Sequence, residues 1–305
     1  MKCTYYGCLV IGQFICFTLQ SQFYFSSYNK PEPELLWEIG GAAGVMNCLT
    51  DIGGKSGVGK KFIKDINWNQ AQFCGSLFVC ATWQSMFAIR MEATLGQVSG
   101  SDAVLKTSTN IARNRYLRNL HFRSNMIELA ALSELQLLPV IDKNRNLPLL
   151  SPYLIAGIGL FNYNPQASLN NIWVDLRPLH TEGQGFKEYP GRSMYTPWSW
   201  CLPAGAGIKY DPSGLINLRF EILYRFTGTD YLDDVSNRYI DPALFKSYLS
   251  LTESSLASKL ADRSAELAGG SRNNNNDIRG NPANKDAYFS CIFKISIVLG
   301  RIQRK

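Results

Sequence analysis

Eight segments of the chain alternate apolar and polar residues, and the gaps between them run long, short, long, medium, long, short, long. In residues 87–96 the positions Phe87, Ile89, Met91, Ala93 and Leu95 are apolar, while Arg90, Glu92 and Thr94 fall on the other parity. A side-chain period of two places those sets on opposite faces of a strand. Residues 216–226 repeat the pattern, with Ile216, Leu218, Phe220, Ile222, Tyr224 and Phe226 set against Asn217, Arg219, Glu221, Leu223 and Arg225. Residues 288–299 do so again, with Phe289, Cys291, Phe293, Ile295, Ile297 and Leu299 on one face. The other five segments are 35–45, 72–82, 126–137, 153–162 and 200–210. This spacing predicts an all-β fold, an eight-stranded antiparallel transmembrane β-barrel with long outer loops.

A soluble sandwich or lipocalin-like barrel also has alternating strands, but its charged face meets water and needs no balance of sign. Here the polar parity holds Glu38, Glu92, Glu128, Glu134 and Glu221 against Arg90, Lys209, Arg219, Arg225 and Lys294. Equal numbers of each sign suit an enclosed lumen, where an unpaired charge is costly. Gly40, Gly41, Gly44, Gly157, Gly159, Gly205 and Gly207 suit the close packing of a narrow barrel. Trp200 and Tyr210 share a face, and a strand tilted by about 40° to the barrel axis sets them roughly 25 Å apart along that axis. That is the height of a membrane-facing apolar band. Trp37, Tyr153 and Trp198 fall near strand ends and are expected in the interfacial belt.

No composition shift divides the 305 residues, which reads as one domain. The mean hydropathy of −0.11 and the lack of a long apolar run beyond the N-terminus exclude a helical membrane bundle. Lys2, the apolar core Cys8–Leu19 and the polar Gln20–Gln22 predict a signal peptide over 1–22, followed by a periplasmic spacer over 23–34 and the barrel domain over 35–305. Cys48, Cys74, Cys80, Cys201 and Cys291 remain after the signal; they are odd in number, form no CxxC pair, and read as small packed hydrophobes. The net charge of +7 is spread out, with no basic helix, so nucleic acid is not an expected partner.

With both termini in the periplasm, the short connections there are Trp83–Ser85, residues 138–152 and Asp211–Gly214. The long ones, 46–71, 97–122, 163–197 and 227–287, face outward. The last opens on an acidic cluster, Asp230, Asp233 and Asp234, expected to be solvated or paired with loop arginines. It continues into a helix predicted from the cap Asp241 and Pro242 to Arg263, then a flexible Asn273–Asn276 run. The acidic cluster lacks the alternating oxygen spacing of a calcium loop. Gly54–Lys60 resembles a phosphate loop, but Lys61 stands where a hydroxyl must meet Mg²⁺, and no βαβ unit surrounds it. His121 and His180 sit in no metal or base–nucleophile pattern, and Glu92 with Glu221 reads as salt-bridged lumen charge before it reads as an acid/base pair. No catalytic, cofactor-binding or metal site is expected, and no small-molecule substrate.

Five strings carry a further signal: Arg118–Asn125; Ser151–Phe161 with Asn164–Pro165; Trp173–Gly185; Thr229–Ser236; and Leu260–Ser264 followed by Arg279–Pro282. Together they resemble a family of outer-membrane β-barrels of unknown function that includes the type IX (Por) secretion-system component PorG. The resemblance implies a non-enzymatic barrel in the outer membrane, in contact with its lipid, acting as a structural or assembly component. In the secretion-system members it implies association with a periplasmic ring of lipoprotein and partner subunits, for which Lys143, Arg145, Arg301, Arg304 and Lys305 are the candidate contacts. An adhesion barrel that binds through its outer loops is the competing expectation. Two departures stand out: His180 occupies a position where the pattern has a small residue, and the chain ends on Arg301–Lys305 instead of an aromatic residue.

Overall fold

The computed structural model describes residues 34–53, 68–105, 113–138, 149–212, 215–267 and 270–299. The predicted signal peptide, almost all of the spacer, Gly54–Lys61, and the five candidate periplasmic cations lie outside the described residues.

All eight expected strands form where the alternation places them: β1 Leu35–Leu49, β2 Gln72–Trp83, β3 Phe87–Ser101, β4 His121–Gln136, β5 Leu150–Leu169, β7 Trp198–Tyr210, β8 Ile216–Thr227 and β9 Ala287–Leu299. Each pairs antiparallel with its neighbour, and β1 pairs with both β2 and β9, which closes the ring. A ninth strand, β6 Ile172–Asp175, pairs only with the top of β5 and stands outside the ring. Ring closure leaves no free edge in the barrel wall, as a lipid environment demands.

The strands overrun the predicted segments at one end, the end that carries the long connections. The outward parity of β5 is apolar from Leu150 to Leu160 and then continues as Asn162, Asn164 and Gln166. Ten residue steps give an apolar height of about 25 Å, after which the sheet rises out of the band. The alternation changes sign there, with Tyr163 and Ala167 apolar and inward while Asn162, Asn164 and Gln166 are polar and outward, so the extension does not continue the apolar-out pattern. Outward residues throughout the band are apolar and well exposed, including Leu77, Met91, Ile158, Ile222 and Phe293. Trp198, Trp200 and Trp37 are also exposed on this face. Tyr153 is not: it is fully buried and points into the lumen, because it shares parity with Ile155 and Phe161.

Glycines open space for the large inward side chains. A Cβ on Gly207 would lie 2.6 Å from the Tyr153 ring, and one on Gly40 2.7 Å from the Phe78 ring. At the opposite end the β2–β3 hairpin turns on Gln84 and Ser85, both with positive φ (47° and 55°), the twist a two-residue hairpin requires.

The long connections fold into a cap. It contains α1 Arg113–Arg118, α2 Phe245–Tyr248 and α3 Leu251–Ala261. The single helix expected over 241–263 is thus broken. Asp241 accepts from the Ala243 N–H as predicted, but the backbone becomes extended at Leu249 and Ser250, and Ser250 with Glu253 starts α3 through a capping box. The α3 face bearing Ala257 and Leu260 packs with Phe245, Phe186, Leu179 and Ala167 into a core separate from the barrel. A second core joins Ile52, Leu232, Val235 and Tyr195 of the loops to Phe122, Tyr163 and Tyr288 of the upper lumen. Asn273–Asn276 is not a loose tether: Asn273 donates to Asp262, and the Asn276 N–H to the Tyr239 carbonyl.

Candidate functional site

The inward parity of the strands brings eight of the ten lumen charges into one network and the other two into a separate pair. Arg90 donates to both oxygens of Glu221 at 2.6 and 2.8 Å, lies 3.0 Å from Glu92, and also contacts Glu134. Arg219 spans from Glu134 at 2.8 Å to Glu38 at 2.6 Å. Lys294 contacts Glu92 and sits 3.4 Å from Glu221, and Lys209 closes on Glu38 at 3.8 Å. Nearer the cap, Arg225 pairs with Glu128 at 2.7 Å. Tyr153 and Tyr288 donate their hydroxyls to Glu221 and Glu128, and the Phe78 ring lies within 6 Å of three of the cations. Every lumen carboxylate has a cation, and all ten groups except Lys209 are almost fully buried. Such a network fills an eight-stranded lumen with side chains. Glu92 and Glu221 are indeed close, but Arg90 and Lys294 lie between them, so neither faces space that a reacting molecule could occupy.

The cap is held by a second polar network, which periodicity could not reveal because its members lie on irregular backbone. Arg118 donates to both oxygens of Asp102 at 2.8 and 2.9 Å, and to the carbonyls of Asp51 and Arg279. Arg279 pairs with Glu182 at 2.9 Å and donates to the carbonyls of Asp234 and Ala261. Glu182 accepts the N–H groups of Ser236 and Asn237, and Asn119 donates to the Arg263 carbonyl. These residues come from four of the five strings singled out in the sequence, plus Asp51, Asp102 and Asn237. The strings therefore encode the internal junction of the cap. His180 has a φ of 49°, the left-handed region, and its ring stacks on Phe186 at 5.7 Å.

Asp230, Asp233 and Asp234 are neither solvated nor bridged to arginine side chains; all three are buried. Asp233 accepts the N–H groups of Ile52 and Val235, and Asp234 accepts hydroxyls from Thr181 and Tyr195. Burial pushes the Asp230 carboxyl up to about 7 and Asp234 up to about 6, and raises Asp233 and Asp286, which also repel nearby carboxylates. Their loop turns inward because the apolar Leu232, between them, and Val235, just after them, are drawn into the core. Among the described residues no group of His, Cys, Asp and Glu is placed to hold a metal ion. The five cysteines are free; Cys74 and Cys80 are fully buried on the inward face.

No protein-family model matches the chain, and no curated protein matches it. Among solved structures it is similar to Ail, the attachment invasion locus protein of Yersinia pestis, with 10% identity and a TM-score of 0.34, over 87% of this chain and 97% of that one. It is also similar to Neisserial surface protein A, with 7% identity and a TM-score of 0.36 over 87% and 97% of the two chains. For the N-terminal β-barrel domain of Pseudomonas aeruginosa OprF the identity is 7% and the TM-score 0.31, over 87% and 98%. At these values the likeness adds nothing to the strand pairing already described. The closed ring, its apolar belt and its filled lumen identify a transmembrane β-barrel of the outer-membrane type.

Proposed function

We propose that this protein is a non-enzymatic, non-conducting barrel of the outer membrane that works as a structural or assembly component through its surfaces. The observation that carries this reading is the double closure of the barrel, by the ion-pair network in the lumen and by the folded cap above it. Among the described residues the lumen is filled from Glu38 to Tyr288, with only a small recess lined by Glu38, Gln136 and Lys209 at the end away from the cap, so function falls to the surfaces at the two ends. Membership in a type IX secretion or gliding complex rests on the resemblance alone. In that case the partners are periplasmic ring subunits, met by the spacer 23–34, the 138–152 connection and the basic tail. Affinity purification of the full-length protein from crosslinked outer membranes tests it. Ring subunits recovered with the wild type and lost when Lys143, Arg145, Arg301, Arg304 and Lys305 are neutralised would support the assembly role, and recovery of the barrel alone would remove it.

A second reading, recognition at the outer surface, is favoured by the cap itself. Its loops have two apolar cores and a dense set of buried hydrogen bonds. A surface ordered in advance loses little entropy when it binds.

A further inference from the structure

The cap sorts its charges by sign. Among the described residues, Asp102, Glu182, Asp230, Asp233, Asp234 and Asp286 are buried, while of its cations only Arg118 and Arg279 are. The carboxylates that do reach the surface are already engaged by their neighbours. Asp241 and Glu253 cap helical turns, Glu266 pairs with Arg263, Asp262 accepts from Ser264 and Asn273, Asp277 from Asn274, and Glu188 from Tyr248. Lys187, Lys246, Lys259, Lys285, Arg192 and Arg238 have no carboxylate within 4 Å among the described residues.

Two of those cations meet at one place on the cap, where the Arg192 guanidinium holds the backbone carbonyl of Arg238. Arg192 donates through Nη1 to the carbonyls of Glu182 (2.7 Å) and Arg238 (3.0 Å), and its guanidinium lies 4.4 Å from the Tyr189 ring centre. Arg238 donates through Nη1 to the Asn276 carbonyl at 2.9 Å and is otherwise exposed. In both, Nη1 is anchored while Nε and Nη2 have no acceptor among the described residues. A guanidinium held this way keeps its planar fork available for a phosphate, sulfate or carboxylate.

We propose that the Arg192–Arg238 pair is the centre of a binding surface for an anionic polysaccharide on the outer face of the cap. This rests on the outer-recognition reading and gives it a ligand class. A globular protein partner would need an apolar interface centre, whereas separate fixed cations on a wet surface suit a flexible chain with repeated anionic groups, whose contacts add along its length.

The test uses the full-length protein in detergent and four immobilised probes: a heparin fragment, the lipid-free phosphorylated core oligosaccharide of lipopolysaccharide, neutral dextran of similar length, and single-stranded DNA. The wild type should bind one or both anionic sugars, with affinity falling steeply as salt rises, and should ignore dextran. Arg238→Glu should weaken binding at least tenfold, Arg192→Lys with Arg238→Lys by less, and Lys259→Ala little. Limited proteolysis of each variant confirms that the cap is folded. Equal binding of Arg238→Glu and wild type overturns the site while leaving recognition by the cap open. Failure of the wild type to bind either anionic sugar, or dextran binding equal to theirs, overturns the ligand class. Binding of single-stranded DNA as tight as that of the sugars also overturns it, since the surface would then discriminate only charge.

Discussion

Glu221 shows what a single side chain does in this barrel. It takes both donors of Arg90, the Tyr153 hydroxyl and the Lys294 ammonium, so removing its charge takes one carboxylate from each of two buried cations, leaving Arg90 with Glu92 and Glu134 and Lys294 with Glu92. Glu221→Gln is expected to cost about 3 kcal/mol, the lower end of the range for breaking a buried pair from one side. Adding Lys294→Met should then cost less than the sum of the two single changes, with a coupling of about 1 kcal/mol or more measured by folding titrations in detergent. Strict additivity would show that the two charges do not share a site. One residue further on, the strand reverses the rule. Ile222 faces lipid in the middle of β8, and Ile222→Lys should cost about 2 to 4 kcal/mol because no partner can reach it there. A loss below about 1 kcal/mol would contradict the in/out assignment of β8.

Among the elements, the cap is the one whose stability should follow pH. Asp230 and Asp234 rise from the usual 3.8 to about 7 and about 6 in the folded cap, chiefly through burial, and Asp233 and Asp286 rise with them. Each binds its proton more tightly folded than unfolded. The protonated form therefore stabilises the cap fully below pH ~4, and that contribution is lost as pH rises through 6 and 7. Hydrogen exchange in residues 229–286 should slow as pH falls from 8 to 5, after correction for the intrinsic rate, and Asp230→Asn should flatten the trend. A cap equally protected at both ends of that range would speak against these burials. The cap was also the part least legible in the sequence. Barrel strands announce themselves because lipid and lumen impose a strict period of two, which is why β3, β8 and β9 and all ten lumen charges could be assigned from parity. Tyr153 was misplaced because an aromatic near a strand end suits a belt as well as a lumen, and only its parity with Ile155 decides. Loop residues such as Arg118, Glu182 and Arg279 come together across 97 to 161 positions of chain, a separation with no periodic trace. The break before α3 did have a local signal, the Ser250–Glu253 capping box, which the stronger Asp241–Pro242 start obscured.

Taken whole, the molecule has two seals in series, and they can be separated. Both should hold in the wild type, so purified protein in planar bilayers is expected to show no stable conductance. Thr227 and Ala287 stand at the cap end of paired strands, with Phe226 opposite Ala287. The cap segment between them can therefore be replaced by a short turn without breaking the ring. That variant should still migrate differently in detergent gels before and after heating, because the closed wall keeps every backbone partner. It should also remain non-conducting, since Arg90, Arg219 and their carboxylates fill the lumen below the cut. Neutralising Glu92, Glu134, Arg90 and Arg219 together in the uncapped barrel is expected to admit water and give small conductance steps, whereas the same four changes beneath an intact cap should not. If uncapping alone produced stable currents, the cap would be the true gate and the lumen network a lining. If the uncapped, neutralised barrel inserted but stayed silent, Phe78, Tyr153 and the inward apolar residues would be the plug, and the charges would serve to fix the strand register.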